Sequence, residues 1–486
     1  MPESLREIMQ LGGLGPKRVR ALHEELAIDS LDGLKEAVEA GRVHAVSGFG
    51  KKTEEGIKAR LANWQGQEAR TPLVEAEEVV KILVRYLAAG PGVEDVAPAG
   101  SFRRRLETVG DLDLLVACED PVAIMDRFVA YEEVREVVSQ GETRSTVRLR
   151  SGMQVDLRVV PKASWGAALH YFTGSKAHNI AVRRRGVERG LKINEYGVFR
   201  GEDQIAGETE EAVYDSVGLA FIATELREDR GGVAAAESGT LPRLVSLEDI
   251  RGDLHVHTKV SDGHDGLEAM AEAAAERGYE YLAITDHTKH LGVARGLDAE
   301  RLAEQIDAID RLNEKLDGRI RLLKGSEVDI LEDGSLDLPD EILERLDLRV
   351  CSVHYKFELP ERQQTERVLR AMDHRLFNIL AHPSGRLIGA RDAYAIDLER
   401  IIEGAAERGC CLEVNAQPSR LDLTDVACKM AKEAGVKVAI STDAHSRDGL
   451  NNMRFGVWQA RRGWLGQADV INTRSLRELG RLLERA

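Results

Sequence analysis

The feature that most constrains this chain is a run of seven short apolar segments between residues 253 and 442. They are DLHVHT (253–258), YLAIT (281–285), RLLKGSEV (321–328), LRVCSVH (348–354), FNILAH (377–382), CCLEVN (410–415) and VKVAIST (436–442). Helical segments such as GLEAMAEAAAERG (266–278) separate most of them. Strand–helix alternation of this kind builds parallel βα units, and the expected product is a distorted (βα)7 barrel. Most of the strands also end in a residue able to hold a metal: His255 and His257, His287, Glu327, His354, His382, then Asp443 and His445. Chemistry in a βα barrel gathers at the C-terminal strand ends, and random placement would not select those ends so often. Residues i and i+2 of a strand share one side, so His255 and His257 project together.

With Asp262, just beyond the first strand, the set has nine members: six His, two Asp and one Glu. This nitrogen–oxygen mixture suits Zn²⁺, Mn²⁺ or Fe²⁺. Nine ligands exceed the needs of one ion, and up to three ions with bridging carboxylates would use them. Clustered metals fit phosphate-ester hydrolysis, because they activate water and clamp the attacking and leaving oxygens. The bland alternative, a group of satisfied core histidines, does not explain the strand-end placement. Residues 252–445 resemble a PHP (polymerase and histidinol phosphatase) domain, and the nine residues match that family's ligand pattern. The resemblance implies an active metal-dependent hydrolase. His264 and His290 fall outside the pattern and receive no role.

A second acidic constellation lies upstream. In GSFRRRLETVGDLDLLV (100–116), Asp111 and Asp113 are again i and i+2, and QVDLRVV (154–160) supplies Asp156 on an expected neighbouring strand. Three carboxylates can hold two Mg²⁺ or Mn²⁺ ions for in-line phosphoryl transfer. A lone DxD is commonly a turn or a solvated edge. Here Gly100 and Ser101 add backbone and hydroxyl donors, and Arg104 adds a fork suited to a triphosphate. The segment, with Gly110 before the first aspartate, resembles the nucleotidyltransferase motif of family X DNA polymerases, the DNA polymerase β-like group. YFTGSKAHNIAVRRRG (171–186) resembles that family's sugar and base contact segment. The resemblance implies that Tyr171, Phe172 and Gly174 shape a deoxyribose pocket, that Asn179 reaches the incoming base and that Arg183 lies on the template side. GGLGPK (12–17) and SGFGKK (47–52) resemble helix-hairpin-helix elements, which implies DNA-phosphate contacts at Gly13, Gly15, Lys17, Gly48, Gly50 and Lys51. A helix N-terminus turned toward phosphate binds without sequence preference.

Four regions are expected: a helix-hairpin-helix, fingers-like region (1–90), an α+β nucleotidyltransferase palm and thumb (91–227), a Gly/Ala-rich linker (228–249) and the barrel (250–486). The chain of 486 residues carries a net charge of −16, which by itself argues against a nucleic-acid partner. Net charge describes a whole surface and not a groove, and basic runs occur at 15–20, 102–105 and 182–192. Five scattered cysteines fit a reducing compartment, no apolar run suits a membrane span, and the expected location is the cytoplasm. The whole pattern is similar to bacterial family X DNA polymerases with a C-terminal PHP domain. Those proteins normally begin with a further small domain that grips the downstream side of a gap, whereas this chain starts at what resembles the fingers region. The expected function is DNA repair with DNA and deoxynucleoside triphosphates as partners: template-directed synthesis plus 3′–5′ exonuclease, 3′-end or abasic-site processing. Two alternatives stay open, a nuclease with a non-productive polymerase core and a small-molecule phosphatase of the histidinol-phosphate type.

Overall fold

The computed structural model describes residues 8, 14–46, 48–63 and 70–484. The chain divides into two compact units, Met1–Pro72 with Leu387–Asp392, and Leu73–Arg386 with Ala393–Ala486. In the first unit, helices Pro16–Leu26, Leu31–Glu39 and Lys51–Asn63 surround a small core that includes Val19, Leu22, Leu34, Phe49 and Ile57. Gly15 precedes Pro16, whose fixed φ and missing N–H suit a first helical position. Gly48 takes φ +84°, a conformation that L side chains rarely adopt, and so allows the tight second hairpin. Gly13 and the side chain of Lys17 lie outside the described residues; Gly15, Gly48, Gly50 and Lys51 are exposed at the two hairpins.

The second unit opens with helix Leu73–Ala88, whose Tyr86 hydroxyl donates to the Arg127 carbonyl at 3.0 Å. A five-stranded sheet follows, built from β1 (Asp95–Pro98), β2 (Asp111–Ala117), β3 (Val134–Gln140), β4 (Arg144–Leu149) and β5 (Gln154–Val160), in the spatial order β1-β2-β5-β4-β3. The central pair β2 and β5 is parallel, while the outer pairs are antiparallel. Helix Trp165–Thr173 leads from this sheet to helix Lys176–Glu188 and a three-stranded meander, β6 (Lys192–Asn194), β7 (Gly197–Arg200) and β8 (Asp203–Ala206).

The segment 228–249 is docked, with its own helix at Gly232–Ser238. Its glycines act as caps: Gly231 at φ +101° starts the helix and Gly239 at φ +67° ends it, bracketing the alanine run. Val245 then donates its N–H to the Leu465 carbonyl at 3.0 Å.

Seven parallel strands in sequential order make the barrel: β9 (Gly252–Val256), β10 (Tyr281–Ile284), β11 (Arg321–Asp329), β12 (Leu348–Ser352), β13 (Ile379–Leu380), β14 (Cys411–Asn415) and β15 (Val438–Ser441). A parallel bridge between Val256 and Ala444 joins the first strand to the last. Strand residues such as Leu282, Ile284, Leu412 and Ile440 share one buried cluster with Met270, Ile306, Ile309 and Val368 of the helices. The first residues of three strands, Tyr281, Leu348 and Cys411, pack with Leu479 and Leu483 of the last helix. That plug closes the N-terminal end of the barrel and leaves the C-terminal end for chemistry. No helix among the described residues is long and apolar enough to cross a membrane.

Candidate functional site

Asp113 of β2 and Asp156 of β5 are direct partners across the parallel pair, with Asp111 two residues before Asp113. Gly100 takes φ +57° at the start of a short helix, and a Cβ there would lie 2.1 Å from Asp113 Oδ2. Only glycine lets the chain come this close to the carboxylate. Asp156 is fixed by hydrogen bonds from Thr146 Oγ1 at 2.6 Å, Gln154 Nε2 at 3.1 Å and Arg144 Nη2 at 3.2 Å. Burial first, then the charges of Asp111 and Asp156, push the Asp113 carboxyl up to about 7. Three carboxylates that repel one another in a half-buried site fit divalent cations, whose charge removes the repulsion.

Ser101 is half-buried in the same short helix as Gly100, and Gly110 directly precedes β2. Arg104 donates through Nε to Glu228 at 2.8 Å and through Nη1 to the Thr173 carbonyl, so both edges of its fork hold other parts of the core. Tyr171 and Phe172 end helix Trp165–Thr173 in an edge-to-face pair, with ring centroids 5.1 Å apart. Gly174 follows at φ +69°. Asn179 Nδ2 donates to the Tyr171 carbonyl at 2.6 Å, and Arg183 is exposed one turn further along the next helix. Arg158, two residues after Asp156 on β5, was not anticipated; its guanidinium lies 4.2 Å from the centre of the Phe172 ring.

At the barrel's C-terminal end the nine candidate ligands converge. His257, Asp262, His287 and His445 bring one donor atom each within 4.8 Å of one another, as do His255, His257 and Asp443, and also His287, Glu327 and His354. His382 Nε2 lies 3.0 Å from Glu327 Oε1 and completes the ring. His382 and Asp443 sit at φ +27° and +52°, strained backbone of the sort that concentrates at functional sites. Asp262 and His445 are about one-third exposed, at 32% and 33%, and form the open side.

Four buried imidazole nitrogens, His255 Nε2, both nitrogens of His257 and His287 Nδ1, have no hydrogen-bond partner. Buried polar atoms are normally paired, so orphaned ligand-type nitrogens beside carboxylates fit metal ions. Burial opposes charge here, yet Glu327 and Asp262 raise His287 to about 10, and Glu327 and Asp329 raise His354 to about 9. Glu327 is held well below the usual carboxylate range against its burial by His287, His354 and His255. Burial first, then His287 and His445, lower His257 to about 4.

The outer ring of partners was not foreseen. His255 Nδ1 meets Glu413 Oε1 at 2.7 Å, and His354 Nδ1 meets Asp329 Oδ1 at 3.0 Å. Asn415 Nδ2 donates to Asp443 Oδ2 at 3.0 Å, and Asp286 accepts from Thr258 N at 2.8 Å and Thr258 Oγ1 at 2.7 Å. Such carboxylates fix which imidazole nitrogen faces a metal. Their signal was present: Glu413 and Asn415 are i and i+2 on β14, and Asp329 is i+2 from Glu327 on β11. His264 lies beside the cluster, its N–H donating to the His445 carbonyl at 2.7 Å.

Comparison with known proteins covers all these regions. Family models match for a SAM-like helix-hairpin-helix tandem (residues 5–63), the DNA polymerase beta thumb (168–228) and the PHP domain (253–417). The chain is 39% identical over 492 aligned positions to "DNA polymerase/3'-5' exonuclease PolX" of Bacillus subtilis, an alignment covering 100% of this chain and 85% of that protein. Over 46% of the chain it is 31% identical to a "Probable phosphatase" of Thermoanaerobacter sp., covering 89% of that protein. Over 40% of the chain it is 30% identical to a "Probable phosphatase" of Caldanaerobacter subterraneus, covering 75% of that protein. The full-length match, joined to a carboxylate triad in one sheet and nine converging candidate ligands on a seven-stranded barrel, leads to one assignment: the chain belongs to the PolX family, family X DNA polymerases that carry a PHP domain.

Proposed function

We propose that this protein is a DNA repair enzyme with two phosphoryl-transfer centres in one chain: a template-directed DNA polymerase and a 3′–5′ exonuclease. The observation that carries this reading is the convergence of two separate groups of candidate ligands, three carboxylates on the sheet and nine donors on the barrel. Divalent ions bound at either site, Mg²⁺ or Mn²⁺ on the sheet and up to three Zn²⁺, Mn²⁺ or Fe²⁺ on the barrel, supply charge neutralisation and Lewis acidity for in-line transfer.

In the polymerase reaction Asp111, Asp113 and Asp156 would hold the ions, and Asp156, on the primer side, accepts the proton of the 3′-hydroxyl. Thr146, Gln154 and Arg144 hold the Asp156 carboxylate in one orientation for that task. Gly100, Ser101 and Gly110 let the triphosphate approach. Arg104 would join them only by exchanging its present partners. Tyr171, Phe172 and Gly174 flank the sugar, Asn179 the base and Arg183 the template. The helix hairpins at Gly13, Gly15 and Lys17 and at Gly48, Gly50 and Lys51 hold DNA by its phosphates. Residues 1–90, 91–227 and 250–486 thus serve as DNA grip, polymerase core and hydrolase, in a cytoplasmic protein.

On the barrel, Glu413 and Asp329 orient the imidazoles of His255 and His354, and the side marked by Asp262 and His445 admits the phosphodiester. A second reading, hydrolysis of small phosphate esters, draws on the named phosphatases that align with this region.

The deciding experiment uses 5′-labelled DNA with a one-nucleotide gap and Mn²⁺, with and without deoxynucleoside triphosphates. Asp113→Ala should abolish extension and spare shortening; His257→Ala should do the reverse. Extension by Asp113→Ala or shortening by His257→Ala would refute the corresponding assignment. Wild type that shortens but never extends would reduce the protein to a nuclease. An amino-alcohol phosphate turned over faster than DNA would favour the phosphatase reading.

A further inference from the structure

The barrel mouth carries aromatic side chains that metal chemistry does not need. His290 lies three residues after the ligand His287, and Tyr355 directly follows the ligand His354. Their rings pack with centroids 4.2 Å apart. Tyr355 is gripped further by the fully buried Arg367, whose guanidinium lies 4.6 Å from its ring centre and whose Nη1 donates to its carbonyl at 3.0 Å. The backbone N–H of His290 is pinned by Asp337 Oδ2 at 2.8 Å. The rings are tilted at 44°, and the contact runs from a buried guanidinium through Tyr355 to His290, which is exposed.

Neighbouring features share that character. Phe357 lies parallel to Tyr394, at 5.7 Å and 13°, and the Tyr394 hydroxyl donates to the carbonyl of Pro383, beside the ligand His382. At the tip of the loop that carries His290, Val293 is 93% exposed, the highest value among the large apolar residues described. Lys289 and Arg295 flank it, and Lys356 follows Tyr355; all three are exposed. Flat rings, an apolar tip and cations suit single-stranded nucleic acid, whose bases stack while its phosphates pair with the cations. A small phosphate ester would use the cations but neither the rings nor the apolar tip.

Building on the exonuclease reading above, we propose that His290, Tyr355 and Val293 form a base-stacking subsite that holds the unpaired 3′-terminal nucleotide of DNA against the ligand ring. The subsite makes the barrel selective for nucleic-acid ends that carry a base. His290 offers its open face to the terminal base, Tyr355 and Arg367 support it from behind, and Val293 blocks re-stacking of that base on its neighbour.

The test compares two 5′-labelled single-stranded oligonucleotides in Mn²⁺. They are identical except that one ends in 3′-thymidine and the other in a 3′-tetrahydrofuran abasic residue, so the same phosphodiester is cut with and without a base. Wild type should prefer the base-bearing end by about ten-fold or more in kcat/KM, the range that stacking on one aromatic provides. His290→Ala should lower kcat/KM on the base-bearing end about ten-fold, through KM, and bring the ratio of the two ends close to one. His290→Phe, which keeps a ring, should restore the preference. Metal content of each variant serves as the folding control. Equal losses on both ends with the ratio preserved, or no loss at all, would overturn the subsite. Wild type that cuts neither end would overturn the exonuclease reading and the subsite with it.

Discussion

Gly100 and Asp113 show how an absent side chain can make room for a carboxylate proposed as catalytic. A Cβ at residue 100 would stand 2.1 Å from Asp113 Oδ2, a distance no real contact tolerates, so any larger residue must displace the aspartate or the turn. Gly100→Ala is therefore expected to cut single-turnover primer extension by about 100-fold, the cost of an ångström-scale misplacement, and to leave shortening of the same primer intact. Extension at the wild-type rate would show that the turn yields without moving Asp113. The aspartates themselves were legible from their i, i+2 spacing. The second reason for Gly100 was not, because the distance between a turn and a strand residue 13 positions later is set only by folding.

At the scale of elements, β11 and β14 each supply more than a sequence pattern announces. Glu413 on β14 both accepts from the His382 N–H at 2.8 Å and meets His255 Nδ1 at 2.7 Å. Glu413→Gln should weaken metal retention by about 10–100-fold, measured by titrating the loaded protein with a chelator, while the fold persists. Unchanged retention would assign Glu413 to packing alone. Helices Trp165–Thr173 and Lys176–Glu188 offer a different case, since His170 and His178 are buried around Tyr214, with His178 Nε2 2.8 Å from its hydroxyl. Burial first, then Arg227, depresses His170 from 6.5 to about 3; burial, then His170 and Arg227, depresses His178 from 6.5 to about 2. Below pH 6.5 the unfolded chain binds protons that the folded chain refuses, so stability falls as pH falls toward those values. Each histidine contributes about 1.4 kcal/mol per pH unit in that window. Thermal scans should show a lower melting temperature at pH 5 than at pH 7, and His170→Phe should flatten that dependence. An unaltered slope would place the proton uptake elsewhere.

At the scale of the molecule, the polymerase core and the barrel lie in one compact unit, tied by ion pairs. Arg462, from a helix that follows the last barrel strand, donates to Asp425 at 2.5 Å, to the Arg104 carbonyl at 2.8 Å and to Glu228 at 3.3 Å. Arg386 pairs with Glu107 at 2.7 Å, Arg454 with Glu77 at 2.8 Å and Arg461 with Glu225 at 2.7 Å. Arg462 is almost fully buried, and Arg462→Ala removes one of two arginines from each of Asp425 and Glu228, which keep Arg230 and Arg104 at 2.8 Å, so the loss should cost about 1.5–3 kcal/mol. Calorimetry should then resolve separate core and barrel transitions where wild type melts as one. A single transition at the wild-type temperature would show that the pairs do not couple the two parts.

The sequence by itself determined the barrel, its seven strands and its nine candidate ligands, because strand periodicity and strand-end placement are local properties that survive in one dimension. It also placed the three aspartates, through the same i, i+2 rule. It did not show the helix inside the Gly/Ala-rich linker segment 228–249, since glycines that cap a docked helix have the same composition as glycines that loosen a tether. Only the tertiary structure decided that Glu413 and Asp329 orient the imidazoles, that Arg104 faces Glu228, and that His290 stands on Tyr355. Those pairings join residues between 25 and 158 positions apart, and no spacing rule reaches that far: they exist because folding brings the ends of different strands and loops to one place.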